Sequence, residues 1–295
     1  MFGFINIYKP AGMTSFDVVA FLRRITKIKQ IGHTGTLDPF ATGVLPVCIG
    51  KSTKLIEYLP DDKEYVATIK FGADTDTYDL EGQIVKIYNK IINEADLDFI
   101  LKDFEGEIKQ FPPKYSAIKV NGKKLYEYAR KGEEINIAPR LVKIYKIKLL
   151  DFSYDNQTAK ILVECSKGTY IRSIAYDIGQ KLNCGGHLIA LERTKAGMFC
   201  LENSVKLENI NSIADIEENL INPLDVLPFT QYILSDSEME KVAHGMPIGC
   251  CPEHLINLPL DLSNHVVFIV YSGKMVAVGI KEDNMIKVKK VFEVL

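Results

Sequence analysis

One carboxylate stands apart in this chain: Asp38, set in the run GHTGTLDPFATGVLPVCIG at residues 32 to 50. Gly32, Gly35, Gly43 and Gly50 permit backbone shapes closed to other residues, and Pro39 pushes Asp38 toward an extended conformation. The outcome is a shaped loop presenting one acid. Chemistry allows it four uses: nucleophile, general base, metal ligand, or a turn residue bonded to its own backbone, the commonest fate of such an Asp. His33, five residues upstream, invites a proton-transfer role near neutral pH.

The elements that must position this loop are legible around it. Residues 3–8 suit a short strand, Lys9-Pro10-Ala11-Gly12 turns the chain, and Thr14 or Ser15 can cap a helix running to about Lys27. Arg23, Arg24, Lys27 and Lys29 crowd the end of that helix, where they suit its dipole or the passage of a phosphate toward the Asp38 loop. Residues 65–71 alternate as a strand, with Tyr65, Ala67, Ile69 and Phe71 on the apolar face. Helical patterning follows near 94–104, and Asn121-Gly122 is a hairpin signal. Residues 140–165 read as two strands joined near Asp155-Asn156, and 169–182 as a helix. A further helix is expected over about 205–221 from the spacing of Leu207, Ile210, Ile213, Ile216 and Leu220. After NPLDVLP the chain turns to short apolar strands, HVVFIVYSG and KMVAVGI, meeting at Ser272-Gly273. Strands and helices mixed without regular alternation argue for α+β rather than a doubly wound parallel sheet.

A chain of 295 residues, 47% hydrophobic, can bury a large domain and a small one. No apolar run approaches the ~18 residues of a membrane span, and the N-terminus lacks the pattern of a cleavable signal, so the cytoplasm is the expected location. Six cysteines without framework spacing read as reduced thiols. A net charge of −2 gives no general attraction for a polyanion, so any RNA contact must come from segregated charge. Such segregation exists at 114–131, where Lys114, Lys119, Lys123, Lys124, Arg130 and Lys131 stand against Glu127 alone. Tyr115, Tyr126 and Tyr128 lie among them, a mixture suited to phosphate contacts and stacking, or to an ordinary solvated face. Metal readings fail on spacing: Asp74, Asp76, Asp79 and Glu81 lack the calcium-loop glycine, and His244, Cys250, Cys251 and His254 lack the usual zinc spacing.

The 32–50 run closely resembles the catalytic loop of the TruB family, the bacterial tRNA pseudouridine-55 synthases. Further matches follow in the family's order: YKPAGMTS at 8–15, KEYVATIKFGADTDTYD at 63–79, KYSAIKVNGKKLYEYARKG at 114–132, CSKGTYIRS at 165–173 and LERTKAG at 191–197. The resemblance spans about residues 3–200 and thins beyond about 230. It implies an α+β fold with a mixed, largely antiparallel core in a catalytic domain at 1–228. An RNA-gripping thumb would be inserted at about 112–135, and residues 229–295 would form a small, mostly β, PUA-like RNA-binding domain.

The resemblance also implies roles. Asp38 matches the catalytic aspartate, Arg172 the arginine that pairs with it, and Tyr65 the tyrosine lying against the target uracil. Tyr170 and Leu191 match residues lining the uracil pocket, and Lys9 a support for the loop, grouped with substrate binding. His33 matches a histidine that fills the stack vacated by a flipped base. The six cations of 114–131 match the RNA-gripping thumb. The implied reaction converts uridine 55 in the tRNA T-arm loop to pseudouridine, with no cofactor, metal, membrane or guide RNA, by an expected monomer. A guide-RNA-dependent relative shares the core, though the thumb argues against it, and a non-catalytic tRNA-binding or folding module is the reading from another class. Phe40 departs from the family's usual Leu after Pro39.

Overall fold

The computed structural model describes residues 1–292 except Ala117, Asn121, Arg130, Glu134, Asn136 and 258–264, and describes only the backbone of Lys119, Lys124, Tyr126 and Ala129. Its centre is a sheet in the spatial order Val205–Lys206, Gly3–Lys9, Thr42–Ile49, Gly186–Ala196, Lys63–Phe71, Thr158–Cys165, Arg140–Ser153, Gly106–Gln110. Two neighbour pairs in that order are parallel, Gly3–Lys9 with Val205–Lys206 and Gly186–Ala196 with Thr42–Ile49; the others are antiparallel. This is the α+β architecture that the lack of β-α alternation implies.

Two of the helices packed against the sheet position the site. Ser15–Thr26 begins at a capping box, the Thr14 side chain accepting from Asp17 N while Asp17 accepts from Thr14 N, and stops where Lys27 turns left-handed. It buries Val18, Val19 and Leu22 in the same core as Ile171, Ile174, Ala175 and Ile178 of the helix Ile171–Lys181. The Thr42–Ile49 strand is apolar on both sides because both are covered. Leu45, Val47 and Ile49 face this core, while Val44 and Cys48 face a second core shared with the C-terminal module.

Among its described residues that module comprises a six-stranded sheet and the α-helix Asp236–Ala243. The Ser272-Gly273 hairpin forms between Val266–Tyr271 and Lys274–Glu282, both turn residues at positive φ, the twist that suits a two-residue hairpin. Lys119–Val120 pairs antiparallel with Lys123–Lys124 on either side of the Asn121-Gly122 signal, of which Asn121 lies outside the described residues.

One expectation fails. Residues 205–221 are not one helix: Val205–Lys206 is a strand, Leu207–Asn209 a 3-10 turn, and the α-helix spans only Ile213–Glu218. Val205 pairs with Ile7 in the central sheet, and Ser212 with Asp215 builds a new capping box that starts the helix late. The apolar residues keep their spacing because each segment packs separately on one core.

Candidate active site

The Asp38 loop is held from several sides. Ser15 Oγ accepts from Leu37 N at 2.8 Å and donates to Leu37 O at 3.2 Å, and Gly12 N donates to Pro39 O at 2.9 Å. Lys9 lies fully buried beneath, its ammonium donating to the carbonyls of Pro10, Met13 and Pro39 at 2.8, 2.7 and 3.1 Å. Burial pushes the Lys9 ammonium down to about 8. Lys9 therefore spends its donors on the backbone that shapes the loop. Gly43 shows why glycine is needed after the loop: φ is +102°, and a Cβ there would stand 2.2 Å from Arg193 O.

Arg172 enters from the first turn of the Ile171–Lys181 helix. Its Nη2 meets Asp38 Oδ1 at 3.0 Å and its Nη1 meets Asp79 Oδ2 at 3.3 Å, while Nη2 also donates to Tyr115 O at 3.2 Å. Arg172 and Asp79 are almost wholly buried, with side chains 7% and 4% exposed, whereas Asp38 keeps 31% of its side chain open toward the cavity. Burial raises the Asp38 carboxyl above the ordinary carboxylate value; Arg172 opposes this and Asp79 reinforces it. The guanidinium thus bridges a closed acid and an open one, leaving the open one aimed outward.

The cavity in front of Asp38 measures about 460 Å³ and is lined by Thr34, Lys63, Tyr65, Tyr170, Leu191 and Arg193 among others. Tyr65 and Leu191 lie on adjacent antiparallel strands whose register sets Leu191 opposite Ala67 and Arg193 opposite Tyr65. Burial raises the Tyr65 phenol, with Arg193 pulling the other way, so it stays protonated at neutral pH. Tyr170 is fixed by the buried side chain of Gln110, which accepts from Tyr170 N at 2.7 Å and donates to Tyr170 O at 3.0 Å.

The structure brings Asp38, Tyr65, Arg172, Tyr170 and Leu191 together as the sequence implies. His33 ends the strand Ile31–His33, one residue before the cavity wall at Thr34, and burial lowers its imidazole so that it is neutral near pH 7. Lys114, Lys123 and Lys131 are exposed; the side chains of Lys119 and Lys124, and all of Arg130, lie outside the described residues. Asp79, Gln110 and Arg193 were not singled out as site residues by sequence. Asp79 and Arg193 sit inside quoted motifs, TDTYD and LERTKAG, but nothing local tells a buried bridging acid from a turn residue. Arg193 is fully buried, donating to Val44 O at 2.7 Å and Gly35 O at 3.1 Å, so it ties the loop to the Tyr65 strand pair. Among the described residues no group of three or more His, Cys, Asp or Glu could hold a metal ion.

Comparison with known proteins gives the geometry its lineage. Residues 23–171 match the sequence model of the TruB family pseudouridylate synthase N-terminal domain, and residues 172–227 match that of the tRNA pseudouridylate synthase B C-terminal domain. A protein named tRNA pseudouridine synthase B from Clostridium acetobutylicum is 49% identical over 82% of this chain and 83% of its own. Its namesake from Clostridium novyi is 42% identical over 98% of this chain and 99% of its own. A solved Cbf5-Nop10-Gar1 complex contains a chain that superposes over 99% of this one and 85% of itself, with a TM-score of 0.71 and 27% identity. The chain belongs to the TruB family of pseudouridylate synthases.

Proposed function

We propose that this enzyme converts uridine to pseudouridine at position 55, in the T-arm loop of tRNA, acting alone in the cytoplasm as a monomer without guide RNA or cofactor. The observation that carries the reading is the open Asp38 carboxylate, clamped by Arg172 at 3.0 Å in a cavity large enough for a flipped nucleotide. Full-length relatives bearing the name tRNA pseudouridine synthase B support the choice of RNA.

The reaction breaks the N1–C1′ bond, turns the uracil and joins C5 to C1′; a proton leaves C5 and another arrives at N1. Composition is unchanged, so the chain's own groups suffice. Asp38 is the reacting carboxylate, and Arg172 keeps it ionised against the cost of burial. Tyr65, Tyr170 and Leu191 wall the uracil. The protonated Tyr65 phenol relays the C5 proton rather than standing as a base. His33, neutral at the rim, fills the stack the uridine leaves, at a cost of a few kcal/mol recovered by the pocket contacts. The lysine-rich hairpin region grips the T-arm backbone, and the C-terminal module serves as a PUA-like RNA contact.

The test is incubation of pure protein with an unmodified tRNA transcript, without guide RNA, followed by mapping of pseudouridine. Product at the T-loop uridine is expected. Product only after a guide RNA is added would transfer the chain to the guide-dependent group, and binding without product would make it an RNA-binding module.

A further inference from the structure

The helix that carries Arg172 lacks a start signal of its own. Its N-cap is Tyr170, which offers no side-chain cap, its first turn holds no acid, and Arg172 at the second helical position sets a cation where the helix dipole is positive. A helix begun this way needs outside support to place its first turn. That support comes from Gln110, 60 residues upstream at the end of the edge strand Gly106–Gln110.

Ile108 and Gln110 lie on the face of that strand that packs inward, so the alternation asks for an apolar side chain at 110, and the sequence supplies an amide that is 1% exposed. This amide brackets the backbone of the cap residue, Oε1 accepting from Tyr170 N at 2.7 Å and Nε2 donating to Tyr170 O at 3.0 Å. The residues after it continue the staple. Phe111 O accepts from Ser173 Oγ at 2.8 Å, and Tyr115 O accepts from Arg172 Nη2 at 3.2 Å. Tyr170, Arg172 and Ser173 are thus all bonded to the stretch 110–115.

A buried, satisfied amide is in general no more than a fastening in the core. Here the fastened residue is the one that starts the Arg172 helix, and Arg172 is the cation that holds Asp38 at 3.0 Å. We propose that Gln110 is a positioning residue for the reaction: by standing in for the missing N-cap, it fixes where the Arg172 guanidinium meets Asp38. Glutamine supplies an acceptor and a donor from one uncharged group, where glutamate would lack the donor. The proposal rests on the reading above that Asp38 is the reacting carboxylate.

The test compares the whole wild-type protein with Gln110→Met, which fills the same space without the two hydrogen bonds, and Gln110→Glu, which keeps only the acceptor for Tyr170 N. Excess enzyme is mixed with a tRNA transcript tritiated at C5 of its uridines. Single-turnover tritium release is followed across pH, and tRNA affinity is measured by filter retention. Gln110→Met should release tritium about 10- to 100-fold more slowly while affinity stays within about threefold of wild type. Its acid limb should move to higher pH, because a guanidinium that has drifted from Asp38 no longer opposes the effect of burial on that carboxyl. In an Arg172→Lys background the same substitution should cost less than about threefold, since the geometry it protects is already lost. Gln110→Glu should fall between Gln110→Met and wild type. If Gln110→Met melts below the assay temperature, Gln110→Glu is put through the same comparison with Arg172→Lys. A folded variant with the wild-type rate and acid limb, or losses that multiply with Arg172→Lys, overturns the proposal. Release by wild type from a uridine outside the T-loop overturns the proposed target and leaves the comparison at Gln110 standing, whereas no release from any uridine overturns both.

Discussion

At Asp38 two opposing effects meet. Enclosure raises the carboxyl above its ordinary ~3.9, and Arg172 lowers it while Asp79 raises it again. With Asp38 in the proposed role, loss of the ionised form stops the reaction, so turnover should fall as pH drops through a value above the ordinary carboxylate range. Asp79→Asn removes one of the raising charges, so a pH–rate profile should show the acid limb displaced to lower pH. The same variant lets the guanidinium relax, and kcat should drop roughly 10- to 100-fold with little change in KM. An acid limb that stays put in Asp79→Asn would mean that Asp79 does not act on Asp38 electrostatically. Asp38 itself was legible only through the ordered motifs around it, because its type and spacing equally fit a turn. Arg172 was legible the same way. Asp79 and Arg193 were not, since their roles come from burial and from partners far along the chain, 93 and 149 residues away.

The elements around the loop carry their own predictions. Lys9 supplies three hydrogen bonds to carbonyls beneath the catalytic turn, a load that needs all three ammonium protons. Lys9→Met should destabilise the fold by about 2–4 kcal/mol by leaving those carbonyls without a donor, measurable by urea denaturation. The pH dependence has a definite sign. The folded pKa of about 8 lies below the unfolded value near ~10.4, so the unfolded chain holds more protons between them and this residue's contribution to stability rises with pH in that window. That rise should vanish in Lys9→Met; its persistence would assign it to another group. In the lysine-rich 114–131 segment, proposed to grip RNA, replacing exposed Lys114 and Lys123 by Gln should weaken RNA binding and shallow the log-affinity versus log-salt slope by about one per charge lost. An unchanged slope would remove them from the phosphate contacts. At this scale the sequence was most readable where a local signal decides the outcome, as with the Thr14 cap and the Tyr65 alternation. It misled at 205–221, where helical spacing arose from three segments lying on one core, and parallel pairing of Val205 with Ile7 is invisible to any local window.

Over the whole molecule, the catalytic sheet and the C-terminal module share one apolar seam. Phe4 stacks edge-on with Phe199, while Tyr58, Phe229 and Phe268 form an aromatic cluster across the junction. Lys51 donates to Phe292 O, and Lys290 pairs with Glu57. Phe268→Ala should cost about 3–5 kcal/mol and lower the melting of both parts together. A variant that melts in two separate steps would show the seam to be weaker than its packing implies. The seam was not legible in the sequence, because its residues read as ordinary strand alternation until both sheets are seen to cover the same face. The catalytic consequence of all three scales converges on one carboxylate. The most direct measurement compares wild type with Asp38→Asn on a tRNA transcript carrying tritium at C5 of its uridines, following tritium release in a single turnover and tRNA binding in parallel. Wild type should release tritium from the T-loop uridine, and Asp38→Asn should bind tRNA comparably while turnover falls on the order of 10³-fold or more. Tritium release by Asp38→Asn at near the wild-type rate would contradict the assignment of Asp38 as the reacting group.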